Sequence, residues 1–343
     1  MTLSIGIVGL PNVGKSTLFT ALTNKGGLAA NYPFATIEPN VGAVPVPDER
    51  LQRLAEIVHP GRIVPATVEF VDIAGLVKGA SEGEGLGNQF LANIRETDAI
   101  AEVLRYFSDG DVVHVEGAPD PARDADIINT ELILADLGTL ERALPRLVKD
   151  ARRDKSSAAK ANLAERLQAW LNDGNRAATF AFNDTDGERE LVRDLHLITL
   201  KPLLYIANLD EDALTSAATP PAPIDGIVPI PISAKVEAEI AEMAAVSPEE
   251  AAAFLADLGL EESGLARLAR TAYSLLGLQS FFTAGEMEVK AWTIPQGAKA
   301  PQAAGVIHSD FEKGFIKAET ASYDDYIAYG GEAGLRAAGK LRI

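Results

Sequence analysis

Gly9-Leu10-Pro11-Asn12-Val13-Gly14-Lys15-Ser16 lies between the apolar run Leu3 to Val8 and a stretch of helical spacing, Lys15 to Thr23. The octet matches G-x-x-x-x-G-K-[ST], and a strand before it with a helix after it is the context that motif requires. Gly9 and Gly14 let backbone N–H groups of the loop, those of Asn12 and Val13 among them, face phosphate oxygens without a Cβ in the way. Lys15 places a point charge on the β- and γ-phosphates. Ser16 offers a hydroxyl to Mg²⁺, and Thr17 sits beside it in the first helical turn, whose N-terminus adds a positive dipole end. A nucleoside triphosphate held with magnesium is the ligand this chemistry fits.

Downstream, Asp72-Ile73-Ala74-Gly75 closes the apolar strand Thr67 to Val71. A carboxylate there can hold magnesium through water, and the Gly75 N–H can meet the γ-phosphate. Gly79, Gly83, Gly85 and Gly87 follow closely, a density that suits a switch loop. Thr36, in Tyr32 to Asn40, is the candidate for a second magnesium hydroxyl, from a first switch loop.

The remaining chain alternates strands with helices: strands at Val41 to Val46, Ala99 to Phe107, Pro202 to Ala207 and Ile227 to Ile232, and helices at Leu86 to Glu96, Pro248 to Leu258 and Gly264 to Leu276. That alternation argues for a parallel α/β sheet. Thr130 to Trp170 differs, with Leu132, Leu137, Leu140 and Leu144, then Leu163, Leu167, Trp170 and Leu171 at helical spacing. It reads as an inserted antiparallel helix pair bending near Asp154 to Ser157. From Phe281 onward short strands are expected at Glu288 to Ile294 and Phe311 to Thr320, in a separate α+β domain.

The 343 residues, 47% hydrophobic and 23% charged, suit a packed globular chain of two or three domains. Without cysteine there is no disulfide, thiolate metal site or Cys nucleophile. No apolar run reaches about 18 residues and the N-terminus reads as a strand, so no membrane span and a cytoplasmic location are expected. The net charge of −18 disfavours DNA. Arg142 to Lys160 runs against it, with seven basic and two acidic residues. That stretch reads either as a solvated helix face or as a basic limb that touches RNA.

Asn208-Leu209-Asp210-Glu211 occupies the place of the Asn-Lys-x-Asp of guanine-nucleotide proteins, and Ser233-Ala234-Lys235 matches the usual base-supporting loop. Glu is one methylene longer than Asp, and Leu209 can pack on a purine. Adenine offers an acceptor at N1 and a donor at N6, which a paired carboxylate does not suit. The reading is ATP bound, with GTP weaker. The alternative is GTP read by Glu211 or Asp210.

Taken together, these residues resemble the YchF-type, Obg-related ATPases of the translation-factor class of P-loop proteins. The resemblance runs from Asn31-Tyr32-Pro33-Phe34 through Asp72 to Asn88 and Asn208 to Glu211. It continues to Ala291-Trp292-Thr293-Ile294 and Gly314-Phe315-Ile316. It implies an α/β P-loop G-domain-like core with an inserted helical hairpin and a C-terminal β-grasp (TGS) α+β domain. The segments expected are 1–125 and 199–279 for the core, 126–198 for the helical insert and 280–343 for the TGS domain. The resemblance also implies ATP preference, Mg²⁺ and association with the ribosome through its large subunit. Chains of this family run roughly 20 residues past Lys340-Leu341-Arg342, so closing strands are expected to be missing here and a sheet edge left open.

One feature of the catalytic centre stands apart. Leu76 follows Gly75 where many related GTPases carry a water-orienting Gln, and Leu makes no hydrogen bond. Of the four histidines, His114 in Asp111 to Val115 is the candidate for that role. The alternatives are a residue from a partner, a K⁺ ion with Asn12 as ligand, or slow turnover. Two functional readings stay open: a regulatory ATPase whose nucleotide sets the switch loops, or a nucleotide-responsive binding module whose hydrolysis is incidental. A metabolic phosphotransferase lacks an acceptor-binding motif.

Overall fold

In the computed structural model, residues 3–24, 40–73, 86–108, 118–152, 154–216 and 221–343 are described. The chain runs β1 (Ser4–Val8), α1 (Lys15–Asn24), β2 (Val41–Pro45), α2 (Glu49–Val58), β3 (Ile63–Val64), β4 (Thr67–Asp72), α3 (Leu86–Glu96) and β5 (Ala99–Arg105). Then come α4 (Pro121–Ala151), α5 (Lys155–Asn172), α6 (Glu188–Leu191), β6 (Leu203–Asn208), α7 (Glu211–Ser216), β7 (Ile230–Ile232), α8 (Ala234–Val246), α9 (Pro248–Asp257) and α10 (Gly264–Leu275). It ends with β8 (Leu278–Ala284), β9 (Val289–Pro295), α11 (Ala300–Ile307), α12 (Ser309–Lys313), α13 (Tyr323–Ala328) and α14 (Glu332–Ala337). Two compact units result, residues 1–43 with 69–265, and residues 44–68 with 266–343.

The six-stranded sheet has the order β2-β4-β1-β5-β6-β7. β1 lies parallel between β4 and β5, and β5, β6 and β7 continue in parallel. All residues of β5 and β6 are buried, and both are mostly apolar, as central strands covered on both faces are, with Glu102 and Arg105 on β5 and Asn208 at the end of β6 as the polar exceptions. The α/β class expected from the sequence is the class observed. Because the strands are parallel, the loops after β1, β4, β5, β6 and β7 leave at one sheet end, where nucleotide sites form in such folds.

The helix pair is present and longer than its sequence signal. α4 begins at Pro121, behind Asp120, whose carboxylate accepts from the Arg123 N–H. Asp154 caps α5 by accepting from the Ser157 N–H. Ile133, Leu140 and Leu147 pack against Leu163, Leu167 and Leu171, and Val192, Leu195 and Leu197 close the cluster. The buried Asp136 of α4 accepts from the backbone N–H groups of Ile198 and Thr199, both at 2.7 Å. It thereby ties the pair to the segment leading into β6.

In the other unit β8 and β9 form an antiparallel hairpin, and β3 adds in parallel beside β9. α2 packs on that hairpin; Asp48 caps it, Leu51 and Leu54 are buried, and the Arg50 guanidinium lies 4.7 Å over the Phe282 ring. One expectation fails here. Phe311 to Thr320 is not a strand: Phe311 belongs to α12, and only Thr320 makes a bridge, to Arg342. Phe311 is 54% and Ile316 91% exposed, so no neighbouring strand takes up their ladder, and apolar content alone does not make a strand.

Among the described residues no helix is long and apolar enough to cross a membrane. The least comfortable buried group is Glu102 on β5, fully buried, with neither carboxylate oxygen hydrogen-bonded among the described residues. Burial is the main cause pushing its pKa well above the usual carboxylate range. Arg176 opposes that, and Asp225 and Asp124 add to it. Since the folded value exceeds the unfolded value of about 4.3, this group's contribution to stability is full below pH ~4 and is lost as pH rises through the raised folded value. Glu102→Gln is expected to remove that loss. Its stability relative to the parent should grow with pH above ~4 by up to about 1.4 kcal/mol per unit, read by urea unfolding at pH 5 and pH 8. An unchanged difference between the two pH values contradicts this account of Glu102.

Candidate functional site: the phosphate loop and the base loops

The loop between β1 and α1 is shaped by its glycines. Gly14 has φ +90°, and a Cβ there would overlap the Asn208 side-chain nitrogen. At Gly9 a Cβ would come within 2.9 Å of the Val103 carbonyl oxygen and of Val13 Cγ2. Asn12 takes φ 64°, left-handed backbone that Asn tolerates better than most residues. Val13 is buried and pins the loop to the core, while the Leu18 N–H donates to the Gly14 carbonyl and joins loop to helix. α1 carries no acidic residue in its first turn, so its own side chains leave the positive end of its dipole open to an anion. Ser16 and Thr17 lie there at the start of the helix, both exposed.

Lys15 Nζ forms an ion pair with Asp72 Oδ1, the two side chains being 11% and 21% exposed. The motif lysine and the carboxylate at the end of β4 therefore converge. The Asp72 N–H is fixed by the Asn40 carbonyl at 2.8 Å.

On the other flank Asn208 ends β6, 5% exposed. Its Nδ2 donates to the Val13 carbonyl at 2.9 Å, and its Oδ1 accepts from the Ala234 N–H at 2.9 Å. Its backbone carbonyl accepts from the Tyr106 N–H at 2.9 Å. One residue thus holds the phosphate loop, the segment after β5 and the start of α8 together. The Leu209 N–H donates to the Ile232 carbonyl, leaving a half-buried side chain at the rim. Asp210 Oδ2 accepts from the Ser108 N–H at 3.2 Å. Glu211 opens α7 with its side chain exposed. Ser233 and Ala234 are buried beneath the loop, and Lys235 is exposed.

Phe107 escaped the sequence reading. The β5–β6 register pairs Arg105 with Asn208, so residues 105–107 fall beside 208–210. Phe107 comes within 3.8 Å of where a Gly14 Cβ would lie. The buried Arg105 guanidinium sits 4.4 Å over its ring, and Arg105 Nε donates to its carbonyl. Only a register could have disclosed this neighbour. Thr36, Gly75, Leu76, the glycines Gly79, Gly83 and Gly85, and His114 with its flanking Gly110 and Gly117 lie outside the described residues.

A family model described as a 50S ribosome-binding GTPase matches residues 4–166, and a YchF-GTPase C-terminal model, described as a protein of unknown function, matches residues 278–343. The chain is 54% identical to the ribosome-binding ATPase YchF of Pasteurella multocida, over 100% of this chain and 95% of that protein. It is 50% identical to the Bacillus subtilis protein of the same name, again over 100% and 95%. Among solved structures, one described as the Schizosaccharomyces pombe YchF GTPase superposes with a TM-score of 0.89 at 39% identity, over 99% of this chain and 93% of that one. With identity of this order along its whole length, and with the phosphate loop, the Asn208 clasp and the helical pair in place, the chain belongs to the YchF family of P-loop proteins.

Proposed function

We propose that the chain is a ribosome-associated regulatory ATPase: it binds ATP, hydrolyses it slowly, and passes the state of its nucleotide to the ribosome, through the large subunit. The observation that carries the nucleotide half is the convergence of Lys15, Asp72 and the Asn208 clasp around one loop. The names of the bacterial relatives support the ribosomal half. In this reading the C-terminal segment 280–343 is a TGS domain and 126–198 a helical insert between the core segments 1–125 and 199–279.

The donors suit magnesium: the Ser16 hydroxyl and the Asp72 carboxylate are hard oxygen ligands. Ser16 would bind it directly and Asp72 through water, with Thr36 added when a γ-phosphate is present. Bound there, the ion neutralises charge on the β- and γ-phosphates. Lys15 exchanges Asp72 for phosphate oxygens, freeing that carboxylate. The N–H groups of Asn12, Val13, Gly14 and Gly75 hold the phosphate oxygens, and His114 orients the attacking water. K⁺ on Asn12 is the alternative to His114.

For the base, Asp210 is engaged by Ser108, Glu211 is one methylene longer than the Asp of Asn-Lys-x-Asp, and Leu209 offers an apolar edge, which together support the adenine reading. A GTPase is the second reading, favoured by the description of the fission-yeast structure and of the family model over residues 4–166.

Calorimetry with ATP and GTP side by side separates the two. ATP is expected to bind at least about tenfold tighter, about 1.4 kcal/mol, and Glu211→Asp with Leu209→Lys is expected to narrow or reverse the gap. Equal affinities in the parent chain contradict the ATP reading. Lys15→Ala is expected to abolish hydrolysis with the thermal midpoint retained; unchanged turnover removes the phosphate site from this loop. His114→Ala is expected to lower kcat about 10²-fold or more with nucleotide affinity nearly unchanged. Unchanged kcat assigns His114 no part in the reaction.

A further inference from the structure

The net charge of −18 conceals one region of opposite sign. On α4, Arg142, Arg146 and Lys149 recur at i, i+4 and i+7, so they share one side of the helix. Arg152 follows at the C-cap, and all four side chains are exposed. The opposite side carries Ile133, Leu140 and Leu147, packed against α5. The helix pair therefore turns this basic row outward.

The cations of the two helices are treated differently. On α5, Lys160 pairs with Asp194 and Arg166 with Glu188. Among the described residues none of the four cations of the α4 row makes an ion pair, and Arg142 only donates its Nε to the Gly138 carbonyl. Arg95, at the end of α3, adds a fifth charge at the row's near end by donating to Thr139 Oγ1 at 3.1 Å. Burial chiefly, and the Arg142 charge as well, hold the Arg95 guanidinium below its ordinary range.

Helix formation does not account for the row. Lys149 and Arg152 stand near the C-terminus, where the dipole favours cations, but Arg142 and Arg146 are too far back to share that benefit. Like charges at i and i+4 work against a helix. Nor is this a membrane-surface helix, since the apolar side that would enter a bilayer is occupied by α5. What remains is a line of exposed guanidinium and ammonium groups about 15 Å long, at about 1.5 Å rise per residue. It can lie along several consecutive phosphates, and three of its four members are arginines, whose planar fork binds phosphate oxygens in pairs.

We propose that the outward row Arg142, Arg146, Lys149 and Arg152 on α4 is a docking surface for the phosphate backbone of RNA, and that through it the chain meets ribosomal RNA. The second half rests on the ribosomal association proposed above; the first does not.

The test uses the full chain and the triple variant Arg142→Glu, Arg146→Glu, Lys149→Glu. A control carries the same charge change elsewhere, as Arg193→Glu, Lys313→Glu, Lys317→Glu. Circular dichroism melting and nucleotide affinity establish that each variant is folded; none of these residues belongs to the nucleotide site. Binding is measured to purified ribosomes by sedimentation, and to protein-free ribosomal RNA and to anionic phosphatidylserine vesicles by titration. The row variant is expected to lose at least tenfold in RNA affinity at 0.1 M KCl. Its log–log salt slope should become shallower by about 2, at about 0.7 for each phosphate no longer neutralised. The control should keep most of the parent's affinity, and so should Arg-to-Lys replacements along the row, which preserve charge. RNA binding abolished by row reversal, without any ribosome binding by the parent, supports the row and removes the ribosomal reading alone. Equal RNA affinity of parent and row variant overturns the proposal. So does ribosome binding by the parent without binding to naked RNA, which points to an acidic protein, or row-dependent binding to the vesicles alone.

Discussion

The site depends on a side-chain amide that serves two loops with opposite needs. Asn208 donates from Nδ2 to the Val13 carbonyl and accepts at Oδ1 from the Ala234 N–H, both at 2.9 Å and away from water. Only a group with a donor and an acceptor on one carbon can satisfy both partners, and a buried partner left unmet costs about 1–3 kcal/mol. Asn208 is positioned by β6, whose register against β5 brings residues 105–108 alongside. The same amide fills the space in front of Gly14, which must therefore lack a Cβ. Glycine at position 14 is thus required from two directions, by its positive φ and by the closeness of its neighbour.

Around this clasp the division of labour follows strand order. β1 delivers Lys15 and Ser16, its neighbour β4 delivers Asp72, and β5 through β7 deliver the segments that carry Phe107, Asn208 and Ser233. Each group arrives at the same sheet end because the strands are parallel. The helical pair hangs from the same chain between β5 and β6 and is fixed back by Asp136 at the segment entering β6. Asp136 and Asn208 thus mark the two ends of the passage from the helical pair through β6 to the nucleotide site.

The parts legible in the sequence were those whose chemistry is local. The octet Gly9 to Ser16, the strand ending at Asp72 and the helix Leu86 to Glu96 stand where their patterns put them. Asn208 was visible as a motif position, but its two hydrogen bonds, to the Val13 carbonyl and from the Ala234 N–H, need tertiary structure. Phe107 could not be found, because its proximity to Gly14 comes from the pairing of β5 with β6. α2 was legible in principle, with Asp48 as cap and Leu51, Leu54 and Ala55 at helical spacing, yet the sequence reading passed over it. α8, rich in alanine and glutamate, gives little apolar contrast before burial of Val236, Ile240 and Ala241 is known. Phe311 to Thr320 misled for the converse reason: its apolar residues suggest a strand, but pairing is a property of neighbours and not of the segment.

The claim that one amide joins the phosphate loop to the base loops is tested most directly by Asn208→Asp. The replacement keeps shape and the acceptor toward Ala234, and sets a carboxylate oxygen against the Val13 carbonyl in place of the donor. Titration calorimetry with ATP is predicted to show affinity reduced at least tenfold, about 1.4 kcal/mol. Asn208→Ala should fall at least as far. ATP affinity in Asn208→Asp equal to that of the parent chain would contradict the account.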